Sequence, residues 1–112
     1  MTITSTSTST TVVGCFTVLG ATVPPVRVDF HLHTTWSDGR LSPGELLEEV
    51  ARGRLERWAI TDHDTLGGSR ELAGQPGLVP GVELSCWFEG REVHVAGLGV
   101  DPDVPELEAF LV

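Results

Sequence analysis

The 112-residue chain contains no lysine; its seven basic residues are all arginine, set against 16 acidic ones for a net charge of −9. Gripping nucleic acid through its phosphates takes a basic surface. The composition therefore excludes stable duplex nucleic-acid binding, and equally a polybasic membrane-surface role. Any phosphate that binds here needs another source of positive charge, and a metal ion is the obvious one. Cysteine is scarce too. Cys15 and Cys86 are too few for a disulfide framework, so a reducing, cytoplasmic setting is expected. No apolar run reaches the 18 residues that a transmembrane helix needs. Val12-Val13-Gly14-Cys15 has the form of a lipoprotein cleavage site. However, nothing basic precedes it, and Ser5 to Thr11 stands where an apolar signal core belongs. The length excludes a complete eight-stranded α/β barrel, which takes roughly 250 residues.

What is there reads as a soluble globular domain, with 40% hydrophobic and 21% charged residues. Nine of the first 11 residues are Ser or Thr. Such a run has little apolar surface to offset the entropy of ordering. Residues 1–25 are therefore expected to be a poorly ordered leader ending at Pro24-Pro25, although β-prone Val12 to Val23 could instead be an added strand, a failed signal or an upstream extension with no structural role; the domain proper covers residues 26–112. Val26 to Phe30 alternates and is β-branched, as in a strand. Ser42-Pro43-Gly44-Glu45 carries a cap, an N1 proline and a capping-box glutamate. Leu46, Leu47, Val50, Ala51 and Leu55 follow at helical spacing. Arg57 to Thr61 is a second strand, and Leu66 to Ala73 a short helix weakened by Gly67-Gly68. Leu78 to Phe88 is a third extended segment, interrupted around Pro80-Gly81. Glu92 to Leu98 is a fourth strand, and Pro105 to Leu111 a last helix. The alternation argues an α/β fold with a parallel sheet and crossover helices.

The four histidines carry the chemistry. His31 and His33 lie two apart at the end of the first strand, where extended backbone points both to one face. Two imidazoles so placed can share a metal. Asp38 follows in a turn that can fold back over them. His63 stands just past the second strand with Asp62 and Asp64 beside it, Glu83 lies in the third extended segment, and His94 in the fourth strand. In a parallel layout the carboxyl ends of the strands share one edge, so His31, His33 and His63 converge, whereas the placement of Glu83 and His94 stays open. Each residue has an ordinary reading when taken singly: a loop histidine, a turn aspartate, a helix cap. The combination is what points to a metal. Imidazole plus carboxylate without thiolate favours zinc, manganese or iron.

Asp29-Phe30-His31-Leu32-His33-Thr34-Thr35-Trp36-Ser37-Asp38-Gly39 resembles the first motif of the polymerase-and-histidinol-phosphatase (PHP) family of metal phosphoesterases. Ala59-Ile60-Thr61-Asp62-His63-Asp64-Thr65 resembles the second. Pro80-Gly81-Val82-Glu83-Leu84-Ser85, with Val93-His94-Val95-Ala96-Gly97-Leu98-Gly99, resembles the third. The wording is closest to stand-alone members acting on nucleoside 3′,5′-bisphosphates and short RNA ends. The resemblance implies a distorted seven-stranded α/β barrel with up to three divalent ions, manganese first. It implies that His31 and His33 bind one ion, Asp38 and His63 a second, that Glu83 bridges, and that His94 helps hold a third. Asp62 and Asp64 would support them, Asp62 by orienting a ligand imidazole. The family pattern continues with a further histidine and a late Asp-x-His pair that do not follow here. The chain is thus expected to be an amino-terminal, roughly four-stranded part of the barrel, weakly active or inactive alone and prone to self-association through its open edge.

The implied activity is hydrolysis of a small phosphorylated substrate by metal-activated water, with no covalent nucleophile. Two rivals remain: a non-catalytic module of the same family, and a metal-dependent amidohydrolase, which shares the His-x-His opening.

Overall fold

The computed structural model describes the backbone of residues 11–18 and 21–111 and the side chains of residues 26–111. Eight elements follow one another: β1 (Thr11–Val18), β2 (Ala21–Leu32), α1 (Pro43–Gly53), β3 (Arg57–Ile60), α2 (Gly67–Glu71), β4 (Leu78–Phe88), β5 (Arg91–Leu98) and α3 (Pro105–Phe110). The strands form one mixed sheet in chain order.

Two departures from the sequence reading matter. First, Pro24-Pro25 is not a break: β2 runs through it, and β1 pairs antiparallel with β2. Residues 1–10, where the Ser/Thr-rich run was read as a leader, lie outside the described residues. Second, the sheet is parallel only across β2, β3 and β4; β5 returns antiparallel along β4. The turn at Glu89-Gly90, both at positive φ, is too short for a crossover and so makes a hairpin. The interruption expected at Pro80-Gly81 is a change of partner. Leu78 to Pro80 pair with β3, and Gly81 to Phe88 pair with β5, in one unbroken strand.

The first helix forms as its residues dictate. Ser42 Oγ accepts from Glu45 N at 3.2 Å, and Ser42 N donates to Glu45 Oε1 at 3.1 Å, closing the capping box behind Pro43. Leu46 and Val50 turn inward and meet Leu32, Leu55, Trp58, Ile60 and Leu72 in the core. Ala51, which shares the helical spacing of Leu46 and Val50, is exposed. The core covers one face of β2 and β3. Strand alternation sends Leu32 into it and aims Asp29, His31 and His33 at the opposite face. That division positions the site.

Candidate metal centre

His31 and His33 project from the end of β2. The chain then turns through residues 34–38, and this turn has a fixed shape because of Asp62. The buried Asp62 carboxylate accepts from Thr34 N at 2.6 Å, from Thr34 Oγ1 at 2.7 Å and from Ser37 Oγ at 2.7 Å. Gly39 N closes the turn on Thr34 O at 2.9 Å. A Cβ at Gly39 would lie 2.2 Å from His33 O, so no side chain fits there. Gly68 passes close beneath: a Cβ there would lie 2.3 Å from Asp62 Oδ2. The Gly67-Gly68 pair, read as a weakness of the helix, is the condition for that approach.

The turn delivers Asp38 between two histidines. Its Oδ1 lies 3.1 Å from His33 Nδ1, and its Oδ2 lies 3.2 Å from His63 Nε2. His63 follows β3, where Glu83 N donates to Asp62 O at 3.0 Å and Asp64 N to Glu83 O at 2.9 Å. Those two bonds set His63 beside Glu83. The Glu83 carboxylate is the hub of the cluster. His31 Nε2 lies 3.3 Å from Oε1, while His63 Nδ1, His33 Nε2 and His94 Nδ1 lie 2.8, 3.7 and 3.9 Å from Oε2. His94 arrives through the hairpin, paired with Ser85 in register. Its antiparallel strand, not a shared carboxyl edge, brings it in.

All six residues singled out as ligands thus meet in space. Three groups have ligand atoms within 4.8 Å of one another: His31, His33 and Glu83; His33, Asp38 and His63; His63, Glu83 and His94. The rings of His31 and His33, His33 and His63, and His63 and His94 lie 4.9, 4.6 and 5.0 Å apart. His33 is fully buried, and burial holds its imidazole pKa below the ordinary value, against the opposing pull of Asp38 and Glu83. A neutral ring with an available lone pair results.

The supporting pair acts differently from expectation. Asp62 orients the turn, with its carboxylate on Thr34 and Ser37 and not on a ligand imidazole. Asp64, at φ 54°, accepts from Ser85 N at 2.9 Å and so ties the loop after β3 to β4. Four contributors escaped the sequence reading. Thr34 and Ser37 lie inside the first motif, but only folding reveals their role. Asp29 is buried and accepts from His31 N at 3.1 Å; its two-residue spacing from His31 was the available signal. Glu92 Oε1 stands 3.3 Å from His94 Nε2, at the same spacing.

No family model matches the chain. Among curated proteins, the 5′-3′ exoribonuclease Rnm of Salmonella typhimurium is 41% identical over 93 residues, 77% of this chain and 32% of the relative. The phosphoribosyl 1,2-cyclic phosphate 1,2-diphosphodiesterase of Eggerthella lenta is 44% identical over 89 residues, 73% of this chain and 34% of the relative. The 3′,5′-nucleoside bisphosphate phosphatase of Chromobacterium violaceum is 40% identical over 91 residues, 76% and 32%. Among solved structures, a protein described as a metal-dependent phosphoesterase from Bifidobacterium adolescentis superposes with a TM-score of 0.66 at 32% identity, covering 75% of this chain and 31% of that one. A C. violaceum protein described as an amidohydrolase, with bound sulfate and no metal, gives 0.69 at 39% identity, again 75% and 31%. The chain spans about a third of the length of each. The three curated relatives are all named for hydrolysing phosphoric esters. Over the residues it shares with them, the chain is similar to these phosphoric-ester hydrolases, which is consistent with a PHP-type metal-dependent phosphoesterase.

Proposed function

We propose that this chain carries a divalent-metal centre for the hydrolysis of a small phosphorylated substrate, such as a nucleoside bisphosphate or a short RNA end. The observation that carries the reading is the buried pair His33 Nε2 and Glu83 Oε2. Among the described residues His33 Nε2 has no hydrogen-bond partner, yet it faces Glu83 Oε2 at 3.7 Å, and Oε2 itself lies 2.8 Å from His63 Nδ1. Burying polar atoms unsatisfied costs about 1–3 kcal/mol each, and a shared cation removes that cost. The surrounding spacings agree. Two ligand atoms each about 2.1 Å from one ion lie about 3.0–3.4 Å apart at tetrahedral or octahedral angles. The pairs His31–Glu83 and His63–Asp38 lie at 3.3 and 3.2 Å.

The donor set suits up to three ions. A neutral imidazole has one free lone pair, whereas a carboxylate can serve two ions. His31 and His33 would hold one ion, Asp38 and His63 a second, and His94 a third, with Glu83 bridging. Manganese fits the mix of imidazole and carboxylate, as do zinc and iron. Ions held there would polarise phosphate oxygens and acidify a water towards a pKa of about 7. Within the chain, Asp38 and Glu83 supply the negative charge that balances those ions. The Asp62–Thr34–Ser37 bonds keep Asp38 in place. Cys86 points to the face of β4 opposite Glu83, so strand alternation removes it as a nucleophile. An amidohydrolase reading shares the His31-x-His33 opening and the name of one structural neighbour, but the Thr61-Asp62-His63-Asp64 and Gly81-Val82-Glu83 segments fit the phosphoesterase better.

The test is phosphate release from adenosine 3′,5′-bisphosphate with and without manganese, in the chain and in Glu83→Gln. Metal-dependent release that the substitution abolishes supports the reading. Retained folding with neither metal binding nor release would identify a non-catalytic module.

A further inference from the structure

We propose that the cleft beside Trp36 is a nucleobase subsite, with the indole as stacking platform; the assignment rests on the phosphoester reading above. Trp36 stands in the turn between His33 and Asp38, and the residue is 52% exposed. Trp87, Phe88 and Phe110 are more exposed still, so exposure alone marks no site; Trp36 differs in that its ring is anchored. Its Nε1 donates to Glu71 Oε1 at 3.2 Å, and its backbone N donates to Thr34 Oγ1 at 3.1 Å. One face of the ring lies on Gly67, where a Cβ would come within 2.2 Å of Cε3. That side of the ring can be approached so closely only because residue 67 is a glycine. An anchored ring has less rotamer freedom to lose on stacking.

The ring forms one wall of a cleft of about 440 Å³, whose other lining residues are Thr65, Gly67, Arg70, Glu71 and Glu108. That size is in the range of small-molecule sites, about 300–1,000 Å³. The cleft is walled by the two segments that carry the metal centre: Trp36 is two residues before Asp38, and Thr65 two residues after His63. Its charges select the occupant. Arg70 is already engaged by Pro102 O at 2.6 Å and by the Glu108 carboxylate. Two carboxylates against one paired guanidinium leave the cleft net negative, which disfavours a second phosphate. A neutral planar ring bearing amino donors fits both the indole face and the carboxylates. A nucleotide would therefore place its phosphate on the histidine cluster and its base over Trp36, and Trp36 would set the preference for nucleotides over bare sugar phosphates.

The experiment uses the full manganese-loaded chain and measures binding of adenosine 3′,5′-bisphosphate and ribose 5-phosphate by calorimetry, with metal content measured alongside. Base–aromatic stacking typically contributes enough that its removal weakens binding about 5- to 100-fold. Trp36→Ala is expected to cut the preference for the nucleotide by that factor at unchanged metal content, and Trp36→Phe to retain most of it. Nucleotide binding should also quench tryptophan fluorescence in the parent chain and less in Trp36→Phe. An unchanged preference in Trp36→Ala would overturn the subsite, as would equal binding of the two probes by the parent chain. If the parent chain binds neither probe, the phosphoester reading falls together with the subsite.

Discussion

The carboxylate of Asp62 clasps Thr34 twice, taking its backbone N–H at 2.6 Å and its hydroxyl at 2.7 Å. An acid from the second motif thereby shapes the turn of the first motif, 28 residues earlier, and places Asp38 between His33 and His63. Asp62→Ala leaves those two buried donors, and the Ser37 hydroxyl, without their acceptor. A loss of about 2–4 kcal/mol is expected, together with weaker metal binding. Urea unfolding and metal titration of the variant check both.

Glycine substitutions separate the turn from the helix beside it. Gly39→Ala drives a methyl into the His33 carbonyl and is expected to cost about 1–3 kcal/mol. Gly44 has nothing within 4 Å of its added Cβ and lies in the first turn of α1. Gly44→Ala should therefore be neutral or stabilising by up to about 1 kcal/mol. Melting temperatures that moved in the same direction for both would contradict this.

Acid should destabilise the metal-free protein through His33. Its pKa is lowered from 6.5 by burial, so below that value the unfolded chain takes up the proton first. The contribution is complete above pH 6.5 and is lost as pH falls through the depressed folded value. In denaturation series from pH 7.5 downward, the parent chain should lose more stability than His33→Gln. Parallel pH profiles would show that the buried ring is not responsible.

Much of this was legible in the residues because it is local. Ser42, Pro43 and Glu45 specify a helix start wherever they fall, and Val26 to Phe30 alternates as only a strand does. The six clustered residues were legible because strand parity and strand ends constrain where side chains go. What was not legible is set by tertiary pairing. The antiparallel course of β5 depends on the two-residue turn at Glu89-Gly90, and the sense of β4 after Pro80 depends on which neighbour it meets. Asp62 next to His63 invites a role on the imidazole. Only the folded turn shows that Thr34 and Ser37 claim its oxygens instead. Gly67-Gly68 looks like a helix defect until Asp62 and Trp36 occupy the space a side chain would need.

Manganese titration of the purified, metal-stripped chain, monitored by calorimetry and by elemental analysis after dialysis, tests the central claim most directly. The account predicts bound manganese in the parent chain and a loss of at least about tenfold in affinity in each of His31→Ala, His33→Ala and Glu83→Gln. Glu83→Gln should be the most severe, because Glu83 faces all the histidines. Folded variants that bind manganese as the parent does, or a folded parent chain that binds none, would show that the cluster is not a metal centre.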